Sequence, residues 1–259
     1  MKETAVTVVM PAYRAERYIG EAVASVLSQT YKDWELLVVD DASPDESAAA
    51  AEKAAAGDPR VRILRLPENA GVAEARMAGV RAAGTEWVAF LDSDDAWTAE
   101  KLERQMACAE QTGADLVFTG SGFMDEQGRR IDRILHVPEK ISYRELLKQN
   151  LISCSSVMVK RALMLKCPMR LTGSRAKGRM HEDFASWLRM LRGGAQAYGI
   201  DEPMLIYRVS RGSVSGNKGK AAAMTWRVYR NIGLSLPECV YYFCCYTVRS
   251  LKKWRGLRK

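Results

Sequence analysis

The chain is poor in metal-binding side chains: it has two histidines, His136 and His181, and its six cysteines include no Cys-x-x-Cys pair. These counts argue against a structural zinc site. No Gly-x-Gly-x-x-Gly follows the first apolar run, and no Walker-type lysine loop occurs. Any phosphate is therefore expected to be held by side chains and a cation rather than by a glycine-rich nest. Long apolar runs are missing too. The longest near the C-terminus, Cys239 to Val248, has ten residues, whereas a spanning helix needs about 20. Met1 to Thr4 lead directly into a strand pattern, so no signal peptide is expected. Unpaired cysteines, three of them in the apolar C-terminal run, suit a reducing, cytosolic compartment.

What is present is apolar substance and uneven charge. Of 259 residues 47% are hydrophobic, enough for one large α/β domain with an appendage. The formal net charge is +8, and Arg249 to Lys259 contribute six cations and no acid. Such a tail suits phosphates or an anionic membrane surface.

Apolar, β-branched runs at Ala5–Met10, Glu35–Val39, Val61–Leu66 and from Trp87 alternate with helical spacing at Ala15–Gln29, up to Ala56, and Val72–Ala83. Pro11 is expected to end the first strand, and Gly84 to cap the third helix. The β-α-β-α-β-α-β order predicts a mostly parallel central sheet flanked by helices. Its strand ends, carrying Pro11/Tyr13, Asp40/Asp41/Ser43, Asn69/Gly71 and Asp92/Asp94, then share one edge. Beyond lie a helix at Thr98–Gln111, a strand at Asp115–Gly120, and a hairpin turning at Glu126–Gly128. A short helix at Ser142–Gln149 and a strand within Ser153–Lys160 follow, then a basic loop at Lys166–Lys177. A helix opens after His181-Glu182-Asp183, with strands at Ala197–Ile200 and Pro203–Tyr207 beyond it. We divide the chain into a catalytic domain, 1–218, and a basic amphipathic helical tail, 219–259. Within the domain, 1–97 forms the nucleotide-binding half and 98–218 the acceptor-binding half.

The stretch Trp87 to Asp95 concentrates the chemistry. A buried strand runs into three carboxylates, Asp92, Asp94 and Asp95, within four positions. Carboxylates this close raise one another's pKa unless a cation sits among them. A hard divalent cation carrying a phosphate is the simplest neutralising partner. The plainer alternative is a helix start capped by Asp95 or Thr98.

Pro11-Ala12-Tyr13, Asp40-Asp41-Ala42-Ser43, Asn69-Ala70-Gly71 with Ala75-Arg76, Asp92-Ser93-Asp94-Asp95 and His181-Glu182-Asp183 occur in that order. In this the chain resembles the family 2 glycosyltransferases, which have the A-type nucleotide-sugar transferase fold, over about residues 5 to 210. Tyr207-Arg208-Val209 and Ser213 to Lys218 resemble the members that build teichuronic acid, capsule or O-antigen. The resemblance implies an inverting, metal-dependent transferase with a nucleotide-sugar donor, a UDP sugar above all, and Mn²⁺ or Mg²⁺ as cofactor. It implies a cell-surface or lipid-linked glycan acceptor. Pro11, Ala12, Tyr13 and Asp41 would line the nucleobase pocket, with Asp40 supporting that loop. Arg76 would face base or phosphate, Asp92 and Ser93 the ribose side, and Asp94 the metal. Asp183 would be the general base. The family's usual Asn is replaced by Arg14 after Tyr13 and by Met77 after Arg76.

Elementary chemistry agrees: an inverting transfer needs one base for the acceptor proton and a stabiliser for the departing diphosphate. A carboxylate at a helix N-terminus, as Asp183 is, has its ionised form favoured by the helix dipole. Its plainer reading is an ordinary first-turn acid. His181 and Glu182 are candidate diphosphate, metal or acceptor contacts. Arg208, Arg211 and Lys218 form a basic patch after a strand, either a clamp on the diphosphate or a solvated loop. Arg170, Arg175, Lys177 and Arg179 are candidates for a lid. Trp97 and Trp187 either stack on sugar or pack in the core. The tail interleaves Trp226, Tyr229, Tyr241, Phe243 and Tyr246 with Arg and Lys. It reads as an interfacial helix on anionic lipid at the inner face of the cell membrane, or as one packed on the core or in a homo-oligomer. Two other functions compete. A nucleotidyltransferase acting on a sugar phosphate would carry a Gly-rich Arg/Lys loop where Pro11 to Arg14 stand. A non-catalytic nucleotide or nucleic-acid binder would carry its basic face on the main domain rather than in the tail, so no nucleic acid partner is expected.

Overall fold

The structure is a computed structural model that describes residues 5–169, 181–209 and 218–255. The N-terminal half is β1 (Val6–Ala12), α1 (Ile19–Leu27), β2 (Trp34–Asp40), α2 (Ser47–Ala55), β3 (Val61–Arg65), α3 (Val72–Ala82) and β4 (Trp87–Phe90). Then come β5 (Ala96–Trp97), α4 (Lys101–Thr112), β6 (Leu116–Met124), β7 (Arg130–Leu135), α5 (Tyr143–Lys148), β8 (Met158–Lys160) and α6 (Arg161–Lys166). The rest is α7 (Glu182–Arg192), β9 (Ala197–Arg208), α8 (Lys218–Asn231) and α9 (Leu236–Arg255). The strands form one sheet in the order β3-β2-β1-β4-β8-β6-β9-β5, with β7 on β6.

The sheet is parallel from β3 to β4 and mixed beyond. β8 is antiparallel to both β4 and β6, β9 is parallel to β6, and β5 is antiparallel to β9. Strand alternation divides the core in two. Val9, Leu37, Val39, Val88, Phe90, Leu116 and Phe118 face α3 and α5 to α9. Val6, Val8, Met10, Leu36, Val38, Ala89 and Val117 face α1, α2 and α4. Both faces are covered, which is why these strands read as unbroken apolar runs. Each large side chain so buried contributes about 1.5–3 kcal/mol.

Several local details depart from expectation. Pro11 lies inside β1, opposite Val39 of β2. β4 pairs β1 only as far as Val9, so the missing proline N–H falls where that ladder has stopped. Gly84 does not cap α3, which ends at Ala83 in extended backbone. The glycine that matters there is Gly79: a Cβ would lie 2.4 Å from Val9 Cγ1, so α3 rests directly on β1. The two strands expected around Asp201 are one strand, β9, which absorbs Pro203 where its register against β6 shifts. Ser153–Lys160 starts as a 3-10 turn, Cys154–Ser156, before β8. β5 and α6 are too short for a periodic signal to reveal.

α8 belongs to the core: Val228 and Tyr229 are fully buried, and Tyr229 meets Phe184 of α7 edge-on. α9 packs Cys239, Tyr242 and Phe243 against the same core. No helix among the described residues is long and apolar enough to cross a membrane.

Candidate functional site

Because β1 to β4 run parallel, their C-terminal ends open on one edge, and the loops there are tied to one another. Ser43 N–H donates to Asp40 Oδ1 at 2.9 Å, and Ser43 Oγ accepts from Arg14 N–H at 2.8 Å. Asp41 is 2% exposed, and its carboxylate accepts from Asn69 Nδ2, Ala70 N–H and Gly71 N–H at 2.8–3.0 Å. It thereby holds the entry to α3, where Gly71 takes φ 89°, a conformation that favours glycine. Asp41 thus faces the Asn69–Gly71 loop, whereas Asp40 uses Oδ1 in its loop bond and has no second hydrogen-bonded oxygen among the described residues. Ala12 is buried, and Tyr13 is 44% exposed with the Arg14 guanidinium 5.4 Å from its ring.

α3 then delivers Arg76, 8% exposed, to Asp92 at the end of β4, with Nη2 at 2.5 Å from Oδ1. Burial opposes the Arg76 charge, but Asp92 and Asp183 outweigh it and hold the guanidinium protonated. Its Nε is buried without a hydrogen-bond partner. Asp92 to Asp95 form a turn closed by Asp95 N–H to Asp92 O at 3.0 Å, with Ser93 half-buried within it. Burial, then the negative charge of Asp92, push the Asp94 carboxyl up to about 6. Burial, Asp94 and Asp92 push Asp95 well above the usual range. Asp95 Oδ2 is another buried atom without a hydrogen-bond partner. Neither Asp95 nor Thr98 caps a helix: the N-cap of α4 is Glu100, with no side-chain bond. The capping alternative therefore fails.

α7 approaches β4 through Trp187, fully buried and 6.3 Å from the Phe90 ring. This sets His181, Glu182 and Asp183 at the N-terminus of α7, all half-buried. Asp183 is near enough to interact with Arg76, and its Oδ1 accepts from Phe184 N–H at 2.7 Å. Burial, followed by the charge of Asp183, raises the Glu182 pKa. Trp97 is also a core residue, 5% exposed, its Nε1–H donating to Ser155 O at 2.7 Å. Neither tryptophan is a sugar platform.

Arg208 requires a correction. β9 runs through it instead of stopping at Tyr207, so it sits beneath the acid turn at 2% exposure rather than in a solvated loop. Its N–H donates to Asp95 Oδ1 at 3.0 Å, and its Nε to Asp94 O at 2.8 Å. Nη1 donates to Asp125 O at 3.2 Å, Nη2 pairs with Glu21 of α1, and the guanidinium lies 4.5 Å from the Tyr18 ring. Such a fully engaged side chain shapes the turn and is no free clamp on a diphosphate. Arg211, Arg170, Arg175, Lys177 and Arg179 lie outside the described residues, as does the side chain of Lys218.

A buried polar floor under the turn escaped sequence reasoning. Ser155 Oγ accepts from Asp92 N–H at 3.1 Å. Gln105 donates to Val117 O and Ser156 O at 2.8 and 3.0 Å. Lys101, fully buried, gives Nζ to Gln105 Oε1 at 2.6 Å and lies 3.8 Å from the Trp97 ring. Burial pushes the Lys101 pKa well down. The signal available was a Lys and a Gln at i, i+4 on the buried face of a helix following the acids. Its partners, Ser155 and Ser156, lie about 50 residues later.

Comparison with known proteins gives this arrangement its class. The model of "Glycosyl transferase family 2" matches residues 7–166. The Bacillus subtilis (strain 168) protein assigned to teichuronic acid biosynthesis as glycosyltransferase TuaG is 36% identical over 96% of both chains. The Escherichia coli UDP-Glc:alpha-D-GlcNAc-diphosphoundecaprenol beta-1,3-glucosyltransferase WfgD is 31% identical over 98% of this chain and 96% of its own. Staphylococcus aureus TarS 1-349 with UDP-GlcNAc superposes with TM-score 0.70 over 94% of this chain and 71% of that one, at 18% identity. The mannosyltransferase PcManGT of Pyrobaculum calidifontis, with GDP-Man and Mn²⁺, does so with 0.68 over 95% and 69%, also at 18% identity. These structures share the A-type nucleotide-sugar transferase fold. The chain belongs to glycosyl transferase family 2 and is a glycosyltransferase.

Proposed function

We propose that the protein transfers a sugar, with inversion, from a UDP-sugar donor to a cell-surface or lipid-linked glycan, using a divalent cation. The observation that carries this reading is the Asp92–Asp95 turn, faced by Arg76 from α3 and Asp183 from α7. The relatives support the substrate class: WfgD is named for a UDP-glucose donor and a diphosphoundecaprenol acceptor, and TarS is described with UDP-GlcNAc.

The residues present fit Mn²⁺ or Mg²⁺. Burial, and after it the charge of Asp92, hold the Asp94 carboxyl at about 6, and a cation beside it would favour the ionised form. Among the described residues no three His, Cys, Asp or Glu side chains form a complete cage. The cation would therefore be held by one or two carboxylates, Asp94 and then Asp92, with substrate phosphates supplying other ligands. When bound it would neutralise the diphosphate as that group departs.

The chain's own residues supply the rest. Asp40, rather than Asp41 whose carboxylate is taken up by the Asn69–Gly71 loop, would accept the hydrogen bond of the uracil imide N–H, while Pro11, Ala12 and Tyr13 would line the base. Asp41 positions the α3 entry, and Arg76, paired with Asp92, would hold that carboxylate and set a positive charge beside the donor phosphate. Asp183 takes the proton of the acceptor hydroxyl, whose oxygen attacks the anomeric carbon from the face opposite the phosphate. The new glycosidic bond forms as the bond to the diphosphate oxygen breaks. On this reading residues 1–97 bind the donor and 98–218 the acceptor.

Thermal shift with UDP and UDP-sugars, in Mn²⁺, Mg²⁺ or chelator, tests the proposal. UDP should raise the melting temperature more with metal than with chelator, and Asp94→Asn should abolish that difference. Equal stabilisation in chelator would overturn the role of the cation.

A further inference from the structure

A second feature lies away from the acids, at the other end of α7. α5, the last residue of α7, the α8–α9 turn and α9 line an open cavity of about 560 Å³. Arg144, Lys148 and Arg192 line it, against one acid, Glu238. Glu238 is already engaged by Ser235, whose N–H and Oγ–H donate to Oε2 at 2.9 and 2.7 Å. Arg192 gives Nη1 to Ile232 O at 2.9 Å. Tyr143 lines the same cavity, and its hydroxyl is buried without a hydrogen-bond partner. The cavity is thus electropositive.

Beside it α9 presents an unusual outer face. Leu236, Val240, Cys244 and Val248 recur every fourth residue and are all exposed, with Tyr241 flanking them at 57%. From Cys239 to Val248 the helix carries no charge. An ordinary surface helix turns polar residues outward, so an apolar outer stripe marks an interaction surface. The stripe continues in sequence into Arg249, Lys252 and Lys253. Apolar side chains beside Arg144, Lys148 and Arg192, on a helix whose sequence turns basic from Arg249, match the interface of an anionic bilayer.

We propose that this α5–α7–α9 face docks on anionic phospholipid, the cavity taking a phosphate headgroup while the α9 stripe enters the headgroup boundary. The inference rests on the lipid-linked acceptor reading above and deepens it, because it puts the membrane contact on α5, the end of α7 and the packed part of α9 rather than on the basic end of the tail alone. It also fixes an orientation. Arg192 and Asp183 stand at opposite ends of α7, about 14 Å apart along its axis. A bilayer at the cavity therefore lies one helix length from the reacting end of the site, a span suited to a sugar carried on a lipid diphosphate.

The test is co-sedimentation of the full chain with phosphatidylcholine vesicles, with and without phosphatidylglycerol. Wild type should bind only the anionic vesicles. The double variant Arg144→Glu/Lys148→Glu, and separately Val240→Glu, should each weaken binding at least about tenfold, with thermal stabilisation by UDP unchanged. Variants that bind like wild type would overturn the docking face and return the contact to the basic end, Arg249 to Lys259. A wild type that ignores anionic vesicles yet transfers sugar to a soluble acceptor would overturn docking and leave the transferase reading intact. Self-association that Val240→Glu abolishes, without vesicle binding, would overturn it in favour of a second copy of the chain. Inorganic phosphate that competes wild type off the vesicles while leaving Val240→Glu's residual binding unchanged would overturn the joint use of cavity and stripe.

Discussion

The two halves of the sheet reach the same site by different means. From β1 to β4 every strand is parallel, so each strand end drops its loop onto one edge in chain order. Beyond β4 the order breaks. β8 is inserted antiparallel between β4 and β6, and β9 returns from far along the chain to lay Arg208 under Asp94 and Asp95, a separation of more than a hundred residues. The first half is a repeated supersecondary unit, whereas the second is an assembly of long-range pairings. The lesson is that a site's donors can come from a regular scaffold while its geometry is closed by an irregular one.

The sharpest way to break the comparison is to remove one acid from each half. Asp183→Asn, in the irregular half, should lower kcat by about 10³-fold while UDP still stabilises the protein; turnover and thermal shift together check it. Full activity would end its role as base. Next, Arg208→Met should cost about 3 kcal/mol, read as a fall in the urea midpoint, because Glu21, Asp94 O and Asp125 O lose one shared donor. Arg208→Lys should not restore it, since one ammonium cannot reach three directions. In the regular half the expected effects are smaller. Ala42 has φ 50°, so Ala42→Gly should gain up to about 1 kcal/mol, seen as a higher melting temperature. The smallest effect concerns Asp45. Burial would raise its carboxyl, but hydrogen bonds from Ser43 and Ser47 hold it at about 2, below the ordinary 3.8. The depressed value belongs to the folded state, so its stabilisation is complete above about pH 4 and vanishes as pH falls through about 2. The stability gap between wild type and Asp45→Asn, from urea titrations, should close over that window.

Legibility followed the same division. The runs at Val6, Trp34 and Trp87 announced buried parallel strands because both their faces are covered, leaving no polar alternation. The acids at Asp92, Asp94 and Asp95 announced a charge problem before any coordinates. Arg208 was misplaced because one residue at a strand's end decides between solvent and burial, and no local pattern marks that boundary. Asp40 and Asp41 were seen as a pair, but which of them turns to the Asn69 loop depends on the path of backbone between strands. Arg14 shows a local rule at work: its φ of 53° is a conformation Asn adopts more readily than Arg.

The order of amino acids alone determined the periodicities, and with them the parallel β/α scaffold, its buried strands, and the gathering of acids at one edge. These follow from local propensity and from the need to bury apolar faces, both of which act over a few neighbouring residues. Folding alone decided that Arg208 and Glu21 clamp the acid turn, that Lys101 and Gln105 floor it, and that α9 keeps an apolar face toward solvent. Those outcomes depend on which distant surfaces meet, and contacts between residues a hundred positions apart leave no periodic trace in a single chain.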